Sequence, residues 1–517
     1  MSKSVLAFAR QFVFMPARQM QRQRQMQHSM MASGGIDRTR LAIADSASQQ
    51  RSGAFSFAVM GDTDAGEINN SESFATAFAQ QMMAQTKESR FFLHIGDITY
   101  PLGTYQNYLS GFLRPYQALL SSVPEKADYA SQNKFDANRG SSVVFSRPVL
   151  SVPGNHDYAR LPFWPTCYRK VTRFFCDRLR QSIGLDLGHY GGEGGEAYDQ
   201  TFLDDLSHFS PTQLKQHLLE HYSVPIDNHG IKSLDTSELA YCLNYVPGQF
   251  TRLPNRYYTF HYGGIDFFAL DSNTWKSDPR EPNFDQAQLD WLEQGLVQSW
   301  RSPDSVGRII YLHHSPYTTE TTRWQHPETL WVRRHLRNVL DSVKATIALD
   351  AGEYSANDSP LVDLIVSGHA HCLEHLKTGQ TGHADAELNW LVCGGSGVDI
   401  RRQRRTGTDI LETISIDERE VTKVVAKSHL YAGAHGQGSK KQRFHSFVQI
   451  DVHPNSKQGL VIRPFVVAKG RNGWQTKALK EISVGSSFLG HSRYFRNCYS
   501  KDSVEHRPSV VRITKQL

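Results

Sequence analysis

From Ala54 onward the chain repeats one scheme: a short apolar run ends in glycine or a polar cluster, and often a helical stretch comes next. The runs are residues 54–60, 91–95, 148–152, 308–312, 361–366 and 388–393. Runs of this length, several of them β-branched and bounded by turn signals, predict buried strands. Residues 73–83 and 286–300 instead repeat apolar side chains at helical spacing. In the second, Leu289, Leu292 and Leu296 share one face, with Asn283 as a candidate cap. Residues 257–261 and 265–270 flank Tyr262-Gly263-Gly264 and predict a hairpin, and residues 445–452 and 460–467 add two late strands. The pattern predicts an α/β chain with mixed sheets, two of them packed face to face.

Some stretches break the rhythm. Residues 158–250 carry Trp, Pro, Cys and a Gly-rich Tyr190-Gly-Gly-Glu-Gly-Gly195 loop, and read as a large insertion. Residues 401–442, with Arg401-Arg402-Gln403-Arg404-Arg405, read as a flexible basic loop, a solvated connection rather than a binding patch. Residues 1–52 are rich in Gln, Met, Arg and Ser and predict a disordered basic tail. That leaves a catalytic domain over 53–400, strands completing a second sheet over 443–490, and a tail over 491–517.

Composition narrows this picture. Of 517 residues, 39% are hydrophobic and 21% charged, enough for a sizeable globular core. The net charge of +6 is mild, and no basic stripe with interleaved aromatics borders the motifs, so specific nucleic-acid binding is not expected. Six cysteines without framework spacing predict reduced thiols and a cytoplasmic location. No run of 18 apolar residues predicts a transmembrane helix. The first 36 residues hold Lys3, Arg10, Arg18, Arg22 and Arg24 with no acidic side chain, so a targeting segment is the alternative there.

The chemistry lies in the residues at the end of each strand. The successive run ends are Gly61-Asp62-Thr63-Asp64, Gly96-Asp97-Ile98-Thr99-Tyr100, Gly154-Asn155-His156-Asp157, His313-His314-Ser315-Pro316 and Gly368-His369-Ala370-His371. Open α/β sheets bind ligands beyond the carboxyl ends of their strands, so these side chains are expected to converge. Carboxylate, amide and imidazole donors in such a set suit a pair of metal ions. Two ions can neutralise a phosphate ester, activate water and stabilise the leaving oxygen. Glycine before Asp62, Asp97, Asn155 and His369 is expected to let the backbone turn sharply.

At these residues the chain resembles the calcineurin-like metallophosphoesterase superfamily, whose signature runs GD, GD, GNH, H, GHxH in this order. The resemblance covers about residues 54–400. It implies a four-layer α-β-β-α sandwich of two mixed sheets with flanking helices. Most members carry Asp-x-His at the first motif, whereas this chain has Asp64. The purple acid phosphatases also lack that His and supply a Tyr from GDxxY, matched here by Tyr100. Gln288-Leu289-Asp290-Trp291-Leu292 and the segment from Gly368 to Leu376 are similar to the small, tartrate-resistant branch.

Carried over by motif, the resemblance implies one ferric-type site from Asp62, Tyr100 and His371. A second comes from Asn155, His314 and His369, and Asp97 bridges the two. The Pro-flanked pattern points to His314 as the ligand and to His313 as a strand-face residue. His156 is expected to touch phosphate or the leaving group, and His326 is the nearest counterpart of a leaving-group histidine. Asp64 reads as a residue behind the ligands, with direct oxygen ligation as the alternative. The implied metals are Fe(III) with Fe(II), Zn or Mn. The implied reaction is hydrolysis of small phosphate monoesters by a dinuclear metal-activated water or hydroxide. Alternatives are a phosphodiesterase or nucleotide hydrolase, and an inactive binding protein, which the presence of all seven ligands disfavours. Metal ligands report the reaction and not the leaving group, so the natural substrate is not legible, nor is the oligomeric state.

Overall fold

The computed structural model describes residues 36–44, 53–63, 74–122, 143–158, 195–206, 209–223 and 241–485, apart from 282, 352–359, 398, 417–418, 437–441, 455, 457–458 and 471–472. Two mixed sheets dominate. In the smaller, Phe55–Met60 runs parallel to Ser89–His94, which runs parallel to Val149–Ser151. On its other side Phe55–Met60 pairs antiparallel with His445–His453, then Gly459–Gly470 and Gly473–Ala478. At the centre of the larger sheet, Ile265–Leu270, Gly307–Leu312 and Leu364–Ser367 are parallel neighbours. Tyr258–Tyr262 and Ile265–Leu270 form the antiparallel hairpin.

Side-chain alternation explains the layering. In Phe55–Met60, Phe57 points across to the larger sheet and meets Phe267 edge-on at 5.4 Å. Phe91 meets Phe260 and Phe267 in the same way, at 5.8 and 5.5 Å. Helix Gln286–Arg301 buries Leu289, Leu292 and Leu296 with Phe268, Ile310 and Ile365 on the outer face of the larger sheet, where helix Pro327–Ala351 joins it. Each such side chain, fully buried, is worth ~1.5–3 kcal/mol. Helix Phe74–Gln85 covers the other sheet, with Phe78 edge-on to Phe447 at 5.8 Å. The result is a four-layer α-β-β-α sandwich.

Several sequence expectations need correction. Within the supposed tail, Ile36–Ile43 is a strand, paired parallel to Tyr241–Tyr245 and Tyr258–Tyr262 with Leu41 and Ile43 buried. The supposed loop at 401–442 contains an antiparallel hairpin of Asp409–Ile416 and Arg419–Ala432 at the sheet edge. It buries Ile410, Val425 and Ala426 but leaves Leu411, Val421 and Val424 exposed, so no continuous buried run marks it in the sequence. Within 158–250, Tyr241–Tyr245 and Tyr222–Ser223 extend the larger sheet, while most of the Gly-rich loop lies outside the described residues. Asp285, not Asn283, caps helix Gln286–Arg301 by accepting from the Gln288 N–H at 3.3 Å. Among the described residues Cys242, Cys372 and Cys393 are free, buried thiols, and no helix is long and apolar enough to cross a membrane.

Candidate metal centre

The parallel strands of each sheet end side by side, and the turns after them carry the site. Asp62, Asp97 and His369 adopt left-handed backbone, with φ of 55°, 50° and 63°. Non-glycine residues held there cost on the order of 1–3 kcal/mol each and persist only when their surroundings fix them. Here the turns tie to one another. The Asp62 N–H donates to the Gly96 carbonyl at 3.0 Å and the Thr63 N–H to the Asp97 carbonyl at 3.0 Å. The His369 N–H donates to Asp62 Oδ2 at 3.0 Å and the His156 N–H to Asp97 Oδ1 at 2.7 Å. Of the four glycines expected to make the turns, only Gly96 has positive φ. Gly154 serves by its size, since a Cβ there would collide with the Asp97 carboxylate and amide.

One group of donors gathers around the Tyr100 hydroxyl. It lies 3.0 Å from Asp62 Oδ1, 2.8 Å from Asp97 Oδ2 and 3.1 Å from His371 Nε2. The His371 Nδ1–H donates to the Asp399 carbonyl at 2.8 Å. That bond fixes the tautomer and leaves the Nε2 lone pair facing the carboxylates, as a metal-ligating imidazole requires.

A second group gathers around His313. Its Nδ1–H donates to the Ile95 carbonyl at 3.0 Å, and its Nε2 lies 3.1 Å from Asn155 Oδ1, 3.2 Å from His369 Nδ1 and 3.4 Å from Asp97 Oδ2. His313 is therefore no mere strand-face residue. It belongs both to a compact His313, His314, His369 cluster and to an Asp62, Asp97, His313 cluster, each with its ligand atoms within 4.8 Å of one another. His314 is buried beside it, with Nδ1 2.8 Å from Ser272 Oγ and Nε2 3.2 Å from Lys276 Nζ. Asp97 touches both groups.

Electrostatics agree with this geometry. Burial, reinforced by Asp97, pushes the Asp62 carboxyl up to about 7 against the pull of His313. Against burial, Asp97 and Asp62 push His313 up to about 9. Burial, followed by Arg401, brings His371 down to about 4, and burial holds His314 and His369 well below the usual histidine range. The two buried carboxylates thus draw positive charge to His313, while His314, His369 and His371 are held neutral. This mixed oxygen and nitrogen donor set fits borderline or hard metal ions.

The remaining sequence candidates fall around this centre. His156 is buried, with Nδ1 3.0 Å from the Pro101 carbonyl and its ring 4.3 Å from that of Tyr100. His326 Nδ1 lies 3.4 Å from Glu328 Oε2. Asp64 lies outside the described residues. Sequence reasoning set His313 aside as a strand-face residue and did not single out Lys276 or Glu328. Glu328 had a signal: Pro327-Glu328 opens a helix in the Pro-then-acidic manner of a helix start.

Carboxylates, an amide, a phenol and imidazoles converging at the strand ends of a two-sheet sandwich make up the donor set of a metal-dependent phosphoesterase. The chain belongs to the calcineurin-like phosphoesterase family, whose model matches residues 55–373. Among solved structures it is similar to the purple acid phosphatase PPD1 from yellow lupin (Lupinus luteus) seeds, with 14% identity and a TM-score of 0.42 over 80% of this chain and 51% of that one. It therefore spans about half the length of the lupin chain. It is also similar to GAP50, the anchor in the inner membrane complex of Plasmodium, at 12% identity and a TM-score of 0.37 over 86% of this chain and 94% of that one. A third similarity is to PhoD, at 13% identity and a TM-score of 0.36 over 87% of this chain and 78% of that one. No curated protein matches the sequence.

Proposed function

We propose that this protein hydrolyses small phosphate monoesters at a dinuclear metal centre. The observation that carries this reading is the placement of Asp97 between two donor groups, one built on Asp62, Tyr100 and His371 and one on Asn155, His313, His314 and His369. Tyr100 suits Fe(III) in the first group, and the imidazoles and amide of the second suit Fe(II), Zn or Mn. Such a pair supplies charge neutralisation of the phosphate and acidification of water. The chain's own residues do the rest. The Asp97 carboxylate, anchored by the His156 N–H, holds the two groups in register. The His156 ring, tilted against that of Tyr100 at 4.3 Å, would meet a phosphate oxygen or the leaving group.

The test combines elemental analysis with turnover of a panel of phosphate mono- and diesters. Asp97→Asn keeps the acceptor for the His156 N–H and hence the fold. Changes behind a metal ligand already cost ~10–100-fold, so loss of the shared ligand itself is expected to cost more than that. An Asp97→Asn protein with wild-type turnover and metal content overturns the reading. Faster turnover of diesters than of monoesters overturns the substrate assignment.

A further inference from the structure

Lys276 and Glu328 form an ion pair at 3.1 Å beside the second donor group, with side chains 5% and 15% exposed. They come from elements distant in sequence, the loop after Ser272–Thr274 and the first turn of helix Pro327–Ala351. A helix N-terminus favours the carboxylate, but burying a pair of charges gives little net stability. Apolar residues of similar volume often do as well or better. The contacts of this pair suggest another reason for it. Lys276 Nζ lies 3.2 Å from His314 Nε2. Glu328 Oε1 faces Lys276, while its Oε2 lies 3.5 Å from His369 Nε2, 3.4 Å from His326 Nδ1 and 4.0 Å from His314 Nε2. His369 Nε2 is buried with no hydrogen-bond partner of ordinary length, so the carboxylate is what that nitrogen faces.

We propose that the buried Lys276–Glu328 ion pair is a positioning device for this centre, selecting opposite tautomers in its two neighbouring histidines. An ammonium can only donate, so the His314 nitrogen facing Lys276 is the acceptor and its Nδ1–H turns to Ser272 Oγ. A carboxylate can only accept, so the His369 nitrogen facing Glu328 carries the proton. His369 Nδ1 is left as the lone pair facing His313 Nε2 at 3.2 Å. His369 then presents its Nδ1 lone pair to the cluster that groups His313, His314 and His369, while the Nε2 lone pair of His314 is kept unprotonated by Lys276, which a metal ion would displace. Carboxylates behind ligating imidazoles do this in metal sites generally, and their loss typically costs ~10–100-fold in metal affinity. The same carboxylate oxygen gathers His326, so the leaving-group candidate of the sequence is tied to this device.

The inference rests on the metal-centre reading, and the experiment separates the two. Full-length protein is titrated with Co(II), following uptake by competition and by the visible Co(II) spectrum. Wild type is compared with Glu328→Gln and with the double variant Lys276→Met/Glu328→Leu, which removes both charges so that neither is buried alone. We expect wild type to take up two equivalents. Both variants should hold the first equivalent normally and bind the second ~10–100-fold more weakly, with an altered spectrum. Variants that are less stable but bind the second equivalent with wild-type affinity and spectrum make the pair merely structural and overturn the proposal alone. Wild type that takes up fewer than two equivalents overturns the dinuclear reading and this proposal with it. Should the double variant fail to fold, the near-isosteric Glu328→Gln decides.

Discussion

Tyr100→Phe is the most informative single change at this centre. It keeps the ring, and with it the contact to His156 at 4.3 Å, and deletes one oxygen. That oxygen lies 2.8–3.1 Å from Asp97, Asp62 and His371. Ligand oxygens at ~2.0–2.2 Å from an ion span ~2.9 Å along an octahedral edge, so a metal ion can sit among the four donors with little rearrangement. A phenol ordinarily ionises near pH ~10, so at neutral pH it keeps its proton. Only a strongly charged cation reverses this, and Fe(III) does so better than Zn(II) or Mn(II). Phenolate on Fe(III) absorbs visible light, so oxidised wild-type protein is expected to be coloured. Tyr100→Phe should bleach the band and weaken the ion by at least ~10–100-fold, equivalent to ~1.4–2.7 kcal/mol. Removing the hydroxyl's hydrogen bond to a carboxylate costs ~1.5–3 kcal/mol of stability, so stability and affinity shift by similar amounts. Absorbance and elemental analysis on folded protein tell them apart. Iron-loaded wild type without a visible band, or Tyr100→Phe with an unchanged band and metal content, refutes the reasoning. Colourless protein holding only zinc or manganese, with Tyr100→Phe fully active, makes Tyr100 a packing residue and leaves Asp64 to supply oxygen there.

His156→Ala is expected to keep both metal equivalents while lowering kcat by ~10²–10⁴, the usual worth of a proton-donating or charge-stabilising group. Loss of metal in elemental analysis would instead place His156 among the ligands. A pH effect is expected at His445, whose Nδ1–H donates to the Gly397 carbonyl. Burial between Phe74 and Trp474 lowers His445 from an ordinary 6.5 to about 4. The unfolded chain therefore takes up this proton first. The stability His445 contributes is present above pH ~6.5 and is lost as pH falls toward 4, by up to ~3 kcal/mol. Denaturant unfolding across that window should show a shallower decline in His445→Gln than in wild type, and equal declines refute the assignment.

How far the fold was legible in the sequence depends on the physics of each signal. Strands such as Phe55–Met60 and Gly307–Leu312 are buried on both faces, so their apolar runs are continuous and their ends obvious. Donor residues at those ends could be picked out by type alone. Ile36–Ile43 is the opposite case: only Leu41 and Ile43 are buried, and the polar Asp37, Arg38, Thr39 and Arg40 precede them. The Pro-flanked spacing favoured His314 over His313, since one step along an extended chain reverses the face a side chain takes. The turn at this strand end brings both rings inward. Lys276 and Glu328 belong to no motif; they meet His314 and His369 only because the larger sheet and its outer helices stack there.

The left-handed turns show why the site could not be reduced to its signature. Asp62, Asp97 and His369 hold a conformation their own side chains disfavour, so local propensity argues against the very geometry that brings them together. Each is held by a bond to a different turn: Asp62 to Gly96, His369 to Asp62, and Asp97 to His156. The two carboxylates accept backbone N–H groups with one oxygen and face the metal-ligand cluster with the other. One oxygen of each thus serves the fold and the other the chemistry, which ties metal affinity to the packing of the two sheets. Substitutions in the Phe57, Phe91 and Phe267 interface should therefore loosen metal binding without touching a ligand, because the turns on the smaller sheet and those on the larger are joined across it.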